Sequence, residues 1–109
     1  MVKSLYILPD VFTAIYEIKG FLVAVNKNKL VIINPNGEIV VSEDGLLLQD
    51  AEGGKCISMR KDGVEGIYHY DGTLLVPFEF YRVFIEDADD LCFHVKKNKG
   101  DSLEPYTVR

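Results

Sequence analysis

Two tight-turn dipeptides, Asn36-Gly37 and Asp71-Gly72, stand 35 residues apart, each between short apolar runs. Asn-Gly and Asp-Gly supply the positive φ angles of two-residue primed turns, so each predicts a β-hairpin. The spacing extends to the residues around them. Sliding the sequence by 35 places Phe21 on Cys56, Ile32 on Ile67, Gly37 on Gly72 and Val41 on Val76, without a gap from 21 to 41. Further on, LLLQDAEG at 46–53 superposes on VFIEDADD at 83–90, and CISMRK at 56–61 on CFHVKK at 92–97. LYILPDVF at 5–12 falls on TLLVPFEF at 73–80 with an offset of 68. Offsets that drift by one or two residues are what loop-length changes between similar units produce.

The apolar runs are rich in Val, Ile, Leu, Phe and Tyr and are broken at close intervals by Gly, Asn, Asp and Pro, while helical periodicity is nowhere sustained. That is strand chemistry. The expected fold is all-β: an antiparallel meander of four-strand units, with strands at 46–50, 55–60, 65–70 and 73–77 in the middle of the chain. We expect one domain over 1–109, divided into a partial unit at 1–19, units at 20–54 and 55–90, and a partial unit at 91–109. About three such units fall short of the four to eight that close a propeller, so the expected array is open or partial.

Within this pattern, GVEGIYHYDGTLLVPFEFYRV at 63–83 resembles a WG repeat. Gly66 stands at the second position of the Trp-Gly pair, Glu65 at the first, Asp71-Gly72 at the turn, and Pro77 and Phe78 at the end. FLVAVNKNKLVIINPNGEIVV at 21–41 is similar one period earlier, with Leu30-Val31 in place of the pair. The resemblance implies repeated β-hairpins with a binding role rather than a chemistry.

No catalytic constellation emerges. His69 and Asp71 have an H-x-D spacing, but Asp71 belongs to the hairpin turn, and His94 has no further ligands in register. Cys56 and Cys92 occupy the site that Phe21 fills in the preceding unit, which predicts two buried free thiols. Gly53-Gly54 reads as a turn and not as a phosphate cradle. The expectation is a non-enzymatic chain without cofactor or metal.

Charge says more. A net charge of −5 opposes nucleic-acid binding, which needs an excess of Lys and Arg, and favours a basic protein partner. No apolar run of membrane-spanning length and no secretory signal is present, so a cytoplasmic location without membrane association is expected. In a meander, alternate loops share one rim. Asp50 and Glu52, then Glu86, Asp87, Asp89 and Asp90, fall on one rim; Lys27, Lys29, Arg60, Lys61, Lys96, Lys97 and Lys99 fall on the other. The acidic rim is the expected partner-binding face, with Phe78 and Tyr81 as aromatic anchors. Overall the profile is similar to small acidic bacterial immunity proteins, which neutralise toxins, many of them basic nucleases, by occluding the active site. The alternative is a WG-repeat interaction or scaffold module, self-associating through open sheet edges. Because Lys96, Lys97 and Lys99 near the last strand oppose edge pairing, a monomer within a heterocomplex is expected.

Overall fold

The computed structural model describes residues 12–108, so most of the 5–12 segment lies outside the described residues. Eleven strands follow in chain order among the described residues: β1 (Ala14–Ile18), β2 (Phe21–Asn26), β3 (Lys29–Ile33), β4 (Ile39–Asp44), β5 (Leu46–Asp50), β6 (Cys56–Lys61), β7 (Val64–His69), β8 (Leu74–Phe80), β9 (Arg82–Asp87), β10 (Cys92–Lys96) and β11 (Glu104–Tyr106). They form three antiparallel meanders. Sheet A is β1-β2-β3-β4, sheet B is β5-β6-β7-β8, and sheet C is β9-β10-β11. The chain is all-β, and the sheets do not close into a propeller. The chain passes between sheets at Gly45 and at Tyr81.

The sheets stack face to face in the order A, B, C. Val23, Val25, Leu30, Ile32 and Val41 of sheet A are buried together with Ile57 and Met59 of sheet B. The opposite face of sheet B buries Cys56, Ile67, Val76 and Phe80 against Val83, Phe93 and Val95 of sheet C. A strand covered on both faces loses the in-out alternation and reads as a continuous apolar run. This is why the first four residues of β6, CISM, are all buried.

Hairpin chemistry differs from the expectation in one respect. At Asn36-Gly37 and Asp71-Gly72 only the glycine has positive φ, 85° and 94°. Each closes a wider turn with the same bonds 35 residues apart. Gly37 N–H donates to Asn34 O and Asn34 N–H to Glu38 O, as Gly72 N–H does to His69 O and His69 N–H to Thr73 O. The Asn34 and Asp71 side chains hold these loops by accepting the N–H of Glu38 and of Thr73, each at 2.9 Å. Two-residue loops with both φ positive occur instead at Lys19-Gly20 and Asp62-Gly63, where the strands pair directly on either side.

Cys92 is also corrected. Cys56 is buried, but Cys92 is exposed. Cys56 lies on the face of sheet B that sheet C covers, with its thiol 3.9 Å from Ala88 O. Cys92 lies in sheet C, the last of the stack, where no described sheet follows. Burial pushes the Cys56 thiol up to about 11, so thiolate is scarce at neutral pH. A thiol reagent at pH 8 is therefore expected to label one cysteine per native chain, Cys92, and the second only on denaturation. Rapid labelling of both, read by intact mass, would contradict this packing.

Candidate acidic interface

The β5–β6 and β9–β10 loops come together from different sheets. After β5 the chain makes a four-residue turn, α1 (Ala51–Gly54), that is not a regular helix, because Glu52 and Gly53 adopt left-handed angles of φ 52° and 64°. This geometry turns Ala51 inward beside Ala88 in the buried cluster and leaves Glu52 exposed. Lys55, at the end of the turn, forms an ion pair with Asp89 across the sheet boundary, and that carboxylate raises the Lys55 pKa. Asp50, Glu52, Glu86, Asp87, Asp89 and Asp90 thereby share one end of the stack, and Lys55 is the only cation within the two loops.

Several of these carboxylates are already engaged. Asp50 accepts the hydroxyl hydrogen of Tyr16 from sheet A, a bond that raises the tyrosine pKa. Asp87 Oδ1 accepts the N–H groups of Asp89 and Asp90 at 3.0 and 3.1 Å, which shapes the β9–β10 loop. Glu86 Oε1 lies 3.1 Å from His94 Nδ1 and its other oxygen 3.9 Å from the Cys92 thiol. Glu52 and Asp90 are exposed at the outside of the cluster. Four of the six acids therefore have partners within the molecule, while Glu52 and Asp90 decorate it.

Phe78 and Tyr81 are not brought to this surface. Phe78 packs between sheets, its ring 6.0 Å from that of Tyr68 and 5.0 Å from Lys61 Nζ. Tyr81 sits at the β8–β9 link with its N–H on Lys96 O, at the far end of sheet C, and the Arg82 guanidinium stacks 4.1 Å from its ring centre. The far end is less basic than the loop pattern suggests. Lys29 pairs with Asp44 at 3.0 Å, Lys61 with Glu43, and Arg60 with Glu65 at 2.7 Å. Glu43 also accepts the Tyr68 hydroxyl at 2.7 Å. Burial opposes its charge, but Lys61 and Tyr68 outweigh burial and hold its pKa below the usual carboxylate value. Three of the seven basic residues assigned to that end are thus balanced by carboxylates.

Sequence reasoning missed Lys55, Glu43 and Glu65, whose partners lie on other strands or in other sheets and leave no local spacing signal. Among the described residues no group of three His, Cys, Asp or Glu side chains is arranged to hold a metal ion, and no helix is long and apolar enough to cross a membrane. Comparison with family models, curated proteins and solved structures returned no match.

Proposed function

We propose that this chain is a non-catalytic protein-binding module that meets a basic partner through the joined α1 and β9–β10 loops. The juxtaposition of those loops across the B–C boundary, tied by Lys55 and Asp89, carries the reading. Carboxylates concentrated on a rigid end accelerate encounter with a basic surface and reject acidic ones. The partner that suits such an end is a nuclease-type toxin, whose phosphate-binding cleft attracts an array of carboxylates as it attracts a nucleic-acid backbone. In this reading the chain is an immunity protein that works by occlusion.

A second reading is a repeat module of the WG type serving interaction or scaffolding. The identical hydrogen bonds at 34–38 and 69–73 and the succession of meander sheets favour it. Here the 35-residue period marks structural units, and binding is spread over sheet faces and edges.

The test uses a tagged chain recovered from its native host at low salt. A stoichiometric, strongly basic partner that is released at moderate ionic strength supports the first reading. Replacing Glu52 and Asp90 together by Lys is expected to slow association by about tenfold or more, with the unfolding midpoint unchanged. These two are chosen because Asp50, Glu86, Asp87 and Asp89 also have partners within the molecule. If association is unaltered by the double variant, the acidic end is not the interface.

A further inference from the structure

We propose that the cavity between the β9–β10 loop and the chain leaving β11 takes an arginine side chain of a basic protein partner, with the guanidinium on Asp90 and the aliphatic stem on Leu91, Tyr106 and Val108. The inference rests on the basic partner of the preceding reading and says how that partner is held once it arrives. The cavity measures about 460 Å³, inside the range of about 300–1,000 Å³ usual for ligand sites.

The cavity opens where a ladder stops while both chains run on. β10 and β11 pair from Val95–Glu104 to Phe93–Tyr106. One step further, Cys92 and Leu91 stand on one side and Thr107 and Val108 on the other, and the register does not continue. On the β10 side the cause is local. Leu91 is held in the left-handed region at φ 53°, and the β9–β10 register shifts between Cys92 and Phe93. A bulge bends its strand and re-aims the residues beside it. The left-handed conformation persists because Leu91 is packed on the buried cluster of sheets B and C. Tyr106 and Val108 pack on the same cluster, and with Leu91 and Phe93 they make the apolar wall of the cavity. Asp90 and Thr107 line it from exposed positions.

An apolar wall with one carboxylate at the rim suits a side chain that is apolar along its length and charged at its tip. Arginine fits this better than lysine. Its guanidinium is more weakly hydrated than an ammonium, stacks on aromatic faces and binds a carboxylate through two N–H groups. Tyr106 supplies the ring and Asp90 the carboxylate.

Charge separates this cavity from its neighbours. Two larger cavities are lined by Lys27 and Lys29 with Asp44, and by Lys97 with Glu104. A cation entering either meets a like charge. The described lining at Asp90 holds no basic residue, and Asp90 shares its loop with Asp87 and Asp89. Phe78 and Tyr81, the anchors expected from the sequence, are engaged elsewhere. The acidic end therefore receives an anchor and does not offer one. Its carboxylates hasten arrival, and a filled cavity slows departure, where most affinity differences between related complexes lie. Arginine in a central pocket is a frequent source of that hold.

The probe is Nα-acetyl-arginine N-methylamide, added at low salt to the isotope-labelled full chain and followed by amide NMR shifts. Saturable shifts are expected at Leu91, Cys92, Tyr106, Thr107 and Val108. The citrulline analogue, close in shape but uncharged, should bind about tenfold more weakly, and Asp90→Asn should weaken the arginine probe by about the same factor. Thr107→Trp fills the cavity and leaves every carboxylate in place, so it should abolish the shifts while the rest of the spectrum is kept. Absence of saturable shifts, equal binding of the citrulline analogue, or binding that survives both variants would each overturn the inference. So would shifts of Leu91 and Val108 that follow protein concentration without the probe, which would make a second copy the occupant. The reading of the acidic end is decided separately, by the rate at which the native partner associates with the Glu52 and Asp90 double variant.

Discussion

Glu65→Ala is expected to destabilise the chain by about 3–4 kcal/mol, from the loss of charged hydrogen bonds and the orphaning of a buried donor. Glu65 is 1% exposed, in a strand between two covered faces. Its Oε2 accepts from Arg60 Nε and an Arg60 terminal nitrogen at 2.9 and 2.7 Å and lies 3.5 Å from Arg82. Its Oε1 accepts the N–H of Val83, the second residue of sheet C, at 2.9 Å. One side chain therefore joins β6, β7 and β9. Truncation strands the Val83 N–H in a dry site, at a cost of about 1–3 kcal/mol. The two arginines are about a third exposed and recover water, which keeps the loss below that of a fully buried pair. Glu65→Gln retains an acceptor for Val83 and loses the charge, so its cost should be about 1–2 kcal/mol. For a domain of this size, with a total stability of about 5–15 kcal/mol, both are measurable as shifts in the urea midpoint. If alanine costs no more than glutamine, the Val83 bond contributes nothing; if neither shifts the midpoint, the cluster does not hold sheets B and C together.

Glu65 also shows where legibility from sequence stops. The strands of sheet B, placed at 46–50, 55–60, 65–70 and 73–77 from composition and turns, lie at 46–50, 56–61, 64–69 and 74–80. Turn residues and β-branched runs are local signals, and they suffice for strands. β8 continues past Pro77 because it is an outer strand, where a missing donor faces no partner. Burial of Glu65, pairing of Lys55 with Asp89, and exposure of Cys92 all depend on which sheet lies over which, and no local spacing encodes that. The acidic end was legible as a set of loops. Its division into structural carboxylates and decorating ones was not, because Tyr16 and the loop N–H groups that engage Asp50 and Asp87 become neighbours only on folding. Phe78 was ambiguous for the same reason, since an aromatic near a strand end reads equally as an anchor and as core.

The position next to Glu65 carries the second large effect. Gly66→Ala is expected to cost about 2–3 kcal/mol by overpacking, although the residue lies in a strand and has no positive φ. A Cβ there would sit 2.7 Å from Val76 O and 3.0 Å from two carbons of the Phe78 ring. The β7–β8 register shifts on either side of Ile67, and Gly66 has no direct partner in β8, so the strands bend together where the ring crosses the glycine. An aromatic ring can move, but a carbonyl within the ladder cannot move without breaking β8 from β7. The two obstacles can be separated by a double-mutant cycle. Phe78→Leu removes the ring contact and leaves the carbonyl in place. Gly66→Ala should then cost less in the Phe78→Leu background than in the parent, by about 1 kcal/mol, without becoming neutral. Strict additivity would show that the ring yields freely and that the Val76 carbonyl alone demands glycine. A neutral Gly66→Ala in the parent, read from the urea midpoint, would remove the close approach of β7 and β8 on which the seating of Phe78 between sheets A and B depends.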